Sequence, residues 1–140
     1  MEKTTIPIAR LRKEHLELRE LIKAISTLLT DQPVKKTQVF SDLFEQLVQK
    51  LKDHLQLEDE TLYPELLIHE DSHIKNIAAR FLSGTRTVNR FLNEYLKNWH
   101  HQDFKIDRQF LEETQVLFDF LDKRITAEEK EFFSVVERKI

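Results

Sequence analysis

Apolar residues recur along this chain at alternating steps of three and four, the spacing that places them on one face of an α-helix. The first seam is Ile8, Leu11, His15, Leu18, Ile22, Ile25 and Leu29, with a histidine set among the aliphatics. The second is Phe40, Phe44, Leu47, Leu51, His54 and Glu58, with Leu62 one turn further on. The third runs Ile74, Ile77, Phe81, Thr85, Val88, Leu92, Tyr95 and Trp99, and its threonine stands beside the chain's single glycine, Gly84. The fourth is Phe110, Thr114, Leu117, Leu121, Arg124, Glu128 and Phe132. Pro7, Pro33 and Pro64 fall near the junctions, and polar stretches at 30–33, 69–73 and 100–107 divide the seams. The pattern predicts four helices, from about Ile6 to Leu29, Val34 to Leu62, Ser72 to Trp99 and Arg108 to Val136. Asp31, Asp71 and Asp107 are the expected N-caps, because a short carboxylate accepts from the free amides of a first turn. Four long helices with short connections predict an all-α, antiparallel up-down-up-down four-helix bundle, with residues 1–140 as one domain.

The polar interruptions carry the chemical interest. In an antiparallel bundle the start of the first helix, the end of the second, the start of the third and the end of the fourth share one end. Measured from that end, His15, His54, Thr85 and Arg124 lie roughly 12 to 20 Å deep at about 1.5 Å per residue, a spread comparable with one helical turn once helix boundaries are allowed to shift by about two to four residues. Glu58 and Glu128 each follow one turn after His54 and Arg124. A single interior polar cluster fed by all four helices accounts for these positions better than four separate accidents.

Composition narrows what such a cluster can be. The chain has 140 residues, enough to bury a core without staples. One glycine, three prolines and 34% charged residues form a helix-favouring mixture. A net charge of -3 and a pI near 6.1, with basic residues scattered, leave no electrostatic footprint for nucleic acid or for an anionic membrane. With no cysteine, thiolate ligands and a cysteine nucleophile are excluded, so any metal is held by nitrogen and oxygen. No apolar run is long enough to span a bilayer, and the N-terminus lacks the apolar core of a signal peptide, so a cytoplasmic location is expected. The other histidines, His69, His73, His100 and His101, fall with Asp103 in polar connections and read as solvated surface. Phe132, Phe133, Val135 and Val136 read as the closure of the bundle end, or as a patch for a homodimer or another protein partner.

Two imidazoles and two carboxylates converging in a bundle core suit iron, manganese or zinc, and the i, i+4 spacing of His54 and Glu58 puts both donors on one face. The segment HLQLEDETLYPELL, from His54 to Leu67, resembles the signature of hemerythrin-like cation-binding domains. RITAEEKEFFSVVE, from Arg124 to Glu137, resembles its second copy, and His15 in RKEHLELRELI resembles the family's first-helix ligand. The resemblance spans nearly the whole chain and implies two non-haem irons held by a histidine on each of the first and third helices and a histidine-glutamate pair on each of the others. His15, His54, Glu58 and Glu128 match that set as metal ligands. Thr85 stands where the third-helix histidine is expected, and Arg124 replaces the second signature's histidine. Arginine stays protonated and offers no lone pair, so a normal di-iron site is not expected.

The expectation for Arg124 is electrostatic. A guanidinium can make a bidentate contact to one glutamate and a further hydrogen bond to the other, standing in for one metal. Thr85 is expected to bond back to a helix carbonyl. The resulting readings are a metal module with at most one iron, serving in sensing, storage or regulation, or a metal-free interaction domain built on an Arg124, Glu58 and Glu128 ion-pair network. A third is an iron-dependent redox enzyme acting on peroxide or nitric oxide. Reversible oxygen carriage, which needs two redox-active irons, is disfavoured, and no catalytic residue is assigned.

Overall fold

A computed structural model describes residues 6–31, 37–99 and 107–139. The helices are α1 (Ile8–Asp31), α2 (Thr37–Thr61), a short α3 (Tyr63–Leu66), α4 (Ser72–Trp99), α5 (Arg108–Ala127) and α6 (Ser134–Lys139), with a π-helical segment at Glu128–Phe133 joining the last two. No strand occurs among the described residues, and the all-α bundle predicted from the seams is what forms. Cross-helix contacts show the antiparallel order: Glu14 meets His54, Arg19 meets Asp122, Arg12 meets Glu137, and Trp99 meets Glu113.

The seams are buried nearly as predicted. Every residue of the α2 seam is buried, and in α1 only Ile22 is half-exposed. Two apolar clusters result. One, around Leu29, Phe40, Phe44, Tyr95 and Phe110, fills one end and the middle; the other, around Leu11, Leu62, Tyr63, Phe81, Phe132 and Phe133, closes the opposite end. Each fully buried Leu, Ile or Phe in them contributes about 1.5–3 kcal/mol relative to exposure. Phe132, Phe133 and Val136 therefore close the bundle rather than form an exposed patch. The polar cluster lies between the two apolar ones.

Three boundaries differ from the sequence reading. Asp71 caps α4 through Oδ1 to the amides of His73 and Ile74, and Asp107 caps α5 through Phe110, as expected. Asp31 instead belongs to the last turn of α1, and Val34 lies outside the described residues. The second helix does not run through Leu62. It ends at Thr61, and Pro64 starts the separate turn α3, because proline's missing amide is tolerated only in a first turn. The fourth helix is not uniform: the π-helical segment inserts one extra residue per turn, and Ser134 Oγ donates to Glu129 O, five residues back. That insertion lets Phe132 and Phe133 both turn inward. His100, His101 and Asp103 lie outside the described residues, whereas His69, half-exposed on the turn before α4, and His73, exposed in its first turn, are placed as expected of surface histidines.

Candidate metal centre

The bundle brings His15 of α1, His54 and Glu58 of α2, and Glu128 of the π-helical segment to one buried point, where a donor atom from each lies within 4.8 Å of every other. Among the described residues this is the one cluster of histidine and acidic side chains arranged in that way. Nε2 of His15 is 2.9 Å from Glu128 Oε1, and Nε2 of His54 is 3.9 Å from the same oxygen. His54 Nε2 also approaches Glu58 Oε2 at 3.3 Å, yet neither approach has hydrogen-bond geometry. His54 Nε2 and both oxygens of Glu58 are thus buried with no hydrogen-bond partner. An unsatisfied buried polar atom costs about 1–3 kcal/mol, and more when charged. These orphaned atoms fit a cation: first-row metals take nitrogen and oxygen donors at about 2.0–2.2 Å, so opposite ligands stand roughly 4 Å apart. A largely apolar cavity of about 20 Å³, bounded by His15, His54, Glu128, Arg124, Val88 and Leu121, adjoins the cluster and has room for about one water molecule.

Arg124 does not take the place expected of it. Its Nη2 donates to Glu128 Oε2 at 3.1 Å, to Thr85 Oγ1 at 2.9 Å, to the Phe81 carbonyl at 2.8 Å and weakly to Tyr63 OH at 3.4 Å. A single hydrogen bond joins Arg124 to Glu128, so that contact is not bidentate, and none reaches Glu58, so the predicted network loses that half. The reason is reach. The guanidinium extends across to α4, lies over the Phe81 ring at 5.0 Å, and occupies the space above Gly84. A Cβ at position 84 would press into Nη1 of Arg124, which explains a glycine inside a helix that otherwise disfavours it. Thr85 bonds back to the Phe81 carbonyl as expected, and also accepts from Arg124 and pairs with Tyr63 OH.

Four residues around the centre escape the seam reading. Tyr63 and Gly84 serve Arg124. Glu14 Oε1 lies 2.7 Å from His54 Nδ1, and Glu129 Oε2 lies 2.8 Å from His15 Nδ1. The available signal for the last two was adjacency, since each neighbours a seam residue, His15 or Glu128, in the chain.

The buried charges influence one another. Burial works against a charged ring at His54, but the carboxylates of Glu128 and Glu58 outweigh it and raise its pKa from 6.5 to about 10. Burial, then the negative charge of Glu128, pushes Glu58 up from 4.5 to about 8. Burial also opposes ionisation of Glu128, yet His15, His54 and Arg124 hold it well below the ordinary carboxylate range. In the metal-free protein one carboxyl of the pair is therefore neutral and the other ionised. Glu58 and His54 both bind protons more tightly when folded, so the stability they add at low pH is lost as pH rises, from 4.5 to about 8 for Glu58 and from 6.5 to about 10 for His54. Glu128 has the opposite sign, and its contribution disappears only in acid. Urea unfolding of metal-free protein should accordingly show stability falling between about pH 6 and 9, while metal affinity rises as the ligands shed protons. Metal-free stability that is flat or rising over that range would contradict this assignment.

No helix among the described residues is long and apolar enough to cross a membrane. A family model described as the hemerythrin HHE cation binding domain matches residues 6–136 of the chain. Among curated proteins and among solved structures, none matches it.

Proposed function

Because the chain belongs to the hemerythrin HHE cation-binding domain family, we propose that it binds a single divalent cation through His15, His54, Glu58 and Glu128. The observation that carries this reading is the unpartnered Nε2 of His54 facing the unpartnered carboxylate of Glu58 in the buried cluster. Iron is the ion typical of the family. When bound, it would supply Lewis acidity and one-electron redox chemistry. The chain's own residues set the limit of one. Arg124 holds a fixed positive charge 3.1 Å from Glu128 Oε2, where a second cation would otherwise neutralise that carboxylate. Thr85 and Tyr63 are committed to Arg124 and present no free ligand to a second ion. A single-cation module of this kind suits sensing, storage or regulation in preference to reversible oxygen carriage.

The contacts of His15 favour a second reading, in which the domain works without metal as an interaction module. Both of its ring nitrogens already face carboxylate oxygens, at 2.9 and 2.8 Å. Glu58 stands against it, because both of its buried oxygens lack a hydrogen-bond partner. Elemental analysis joined to an optical spectrum, on protein purified without chelator and then offered Fe²⁺, Mn²⁺ and Zn²⁺ in turn, separates the two. One equivalent per chain is expected. Two equivalents would overturn the role given to Arg124, and none with any of the three ions would leave the interaction module.

A further inference from the structure

A neutral imidazole has one N–H and one lone pair, and only the nitrogen with the lone pair can bind a cation. His15 and His54 both turn Nε2 toward the cluster, so ligation requires the proton on Nδ1 in each. Each Nδ1 faces a carboxylate: Glu129 Oε2 at 2.8 Å for His15, and Glu14 Oε1 at 2.7 Å for His54. The second oxygen of each carboxylate is directed to an arginine, with Arg10 Nε 3.2 Å from Glu14 Oε2 and Arg19 Nη1 3.8 Å from Glu129 Oε1. The same arginine, carboxylate, histidine order thus occurs twice.

The two units brace one another across helices. Glu14 follows the main chain of α1, whose His15 is a ligand, yet holds the histidine of α2. Glu129 follows Glu128 in the π-helical segment and holds the histidine of α1. Glu128 and Glu129, consecutive in the π-helical segment, reach the two nitrogens of the one His15 ring. Glu14 and Glu129 side chains are 20% and 24% exposed, so each keeps some water while its working oxygen points inward.

We infer that Glu14 and Glu129 are positioning residues of the metal centre, which fix His54 and His15 as Nδ1–H tautomers and aim both Nε2 atoms at the cation. This rests on the single-cation reading above. Its consequence is that reach matters more than charge at both positions. Glutamine keeps an acceptor oxygen at the same distance without the charge; aspartate keeps the charge but is one methylene too short.

The test compares wild-type protein with Glu14→Gln, Glu14→Asp, Glu129→Gln and Glu129→Asp, each loaded with Co²⁺. Affinity is read by competition with a chelator, and the ring N–H protons by their exchangeable, paramagnetically shifted proton NMR signals. Wild-type protein should show two such signals. Each aspartate variant should bind Co²⁺ about 10–100-fold more weakly and lose protection of one signal, a different one in each, whereas each glutamine variant stays within a few-fold of wild type. Aspartate variants that match wild type in affinity and in both signals would overturn the inference while leaving the single-cation reading intact. Glutamine variants weaker than aspartate variants would overturn it in favour of a purely electrostatic role. Wild-type protein that takes up no Co²⁺ would overturn the single-cation reading and the inference with it.

Discussion

Arg124→Met in the metal-free protein should lower its stability by about 3 kcal/mol, because removing one partner of a buried ion pair costs roughly 3–5 kcal/mol and this side chain is 14% exposed. Methionine keeps most of the stem volume. What is lost is the guanidinium, and with it the donor to Glu128 Oε2, Thr85 Oγ1 and the Phe81 carbonyl. His15 still faces Glu128, which keeps the cost near the lower end. At about 2–4 °C per kcal/mol for a domain near this size, the melting temperature should fall by roughly 6–12 °C. Gly84→Ala supplies the complementary measurement. Alanine favours a helix over glycine by about 1 kcal/mol, but here its Cβ meets Arg124 Nη1, so the change should be destabilising in wild-type protein, by about 1–3 kcal/mol. In the Arg124→Met background the obstruction is gone, and the same change should become stabilising. A loss below about 1 kcal/mol for Arg124→Met, or a Gly84→Ala effect unaltered by it, would show that the guanidinium does not bridge the last helix to α4 as described.

His54→Ala should abolish stoichiometric metal binding while leaving the metal-free fold in place. The substitution takes away the Nε2 that faces Glu58 and Glu128 and releases Glu14 from its inner contact. Loss of an outer partner alone weakens metal sites about 10–100-fold, so loss of the ligand should exceed 100-fold. Titration with Fe²⁺ or Mn²⁺ under anaerobic conditions measures the affinity, and far-ultraviolet circular dichroism of the metal-free variant shows whether the helices persist. Retention of one tightly bound metal by a folded His54→Ala protein would remove His54 from the ligand set and take the proposed function with it.

Much of the centre was legible before any coordinates. His15, His54, Glu58, Thr85 and Glu128 stand on stripes that are otherwise apolar, and all five are buried. The level at which they meet followed from counting residues from the shared end of an antiparallel bundle. Both inferences use quantities internal to each helix, the rise per residue and the period of 3.6, which packing changes little. Arg124 was placed on its stripe correctly and paired with Glu128, but its expected bond to Glu58 goes instead to Thr85 and the Phe81 carbonyl. A long flexible side chain can reach several neighbours from one Cα, and only the bare surface at Gly84 decides that this one crosses to α4.

Glu14 and Glu129 mark the boundary between the two kinds of information. On a helix drawn from the sequence they sit beside the seam, as acidic residues usually do in water. Their oxygens reach Nδ1 of His54 and His15 only because α1 packs against α2 and against the π-helical segment at one rotation about their axes. The hydrophobic period settled which side chains face the interior, Glu58 and Glu128 included, since exposing the neighbouring apolar positions would forfeit their burial. Which nitrogen meets which carboxylate, and that Arg124 turns to Thr85 and the Phe81 carbonyl and away from Glu58, depended on axial offset and helix rotation. Those are properties of helices packed together, and the tertiary structure alone decided them.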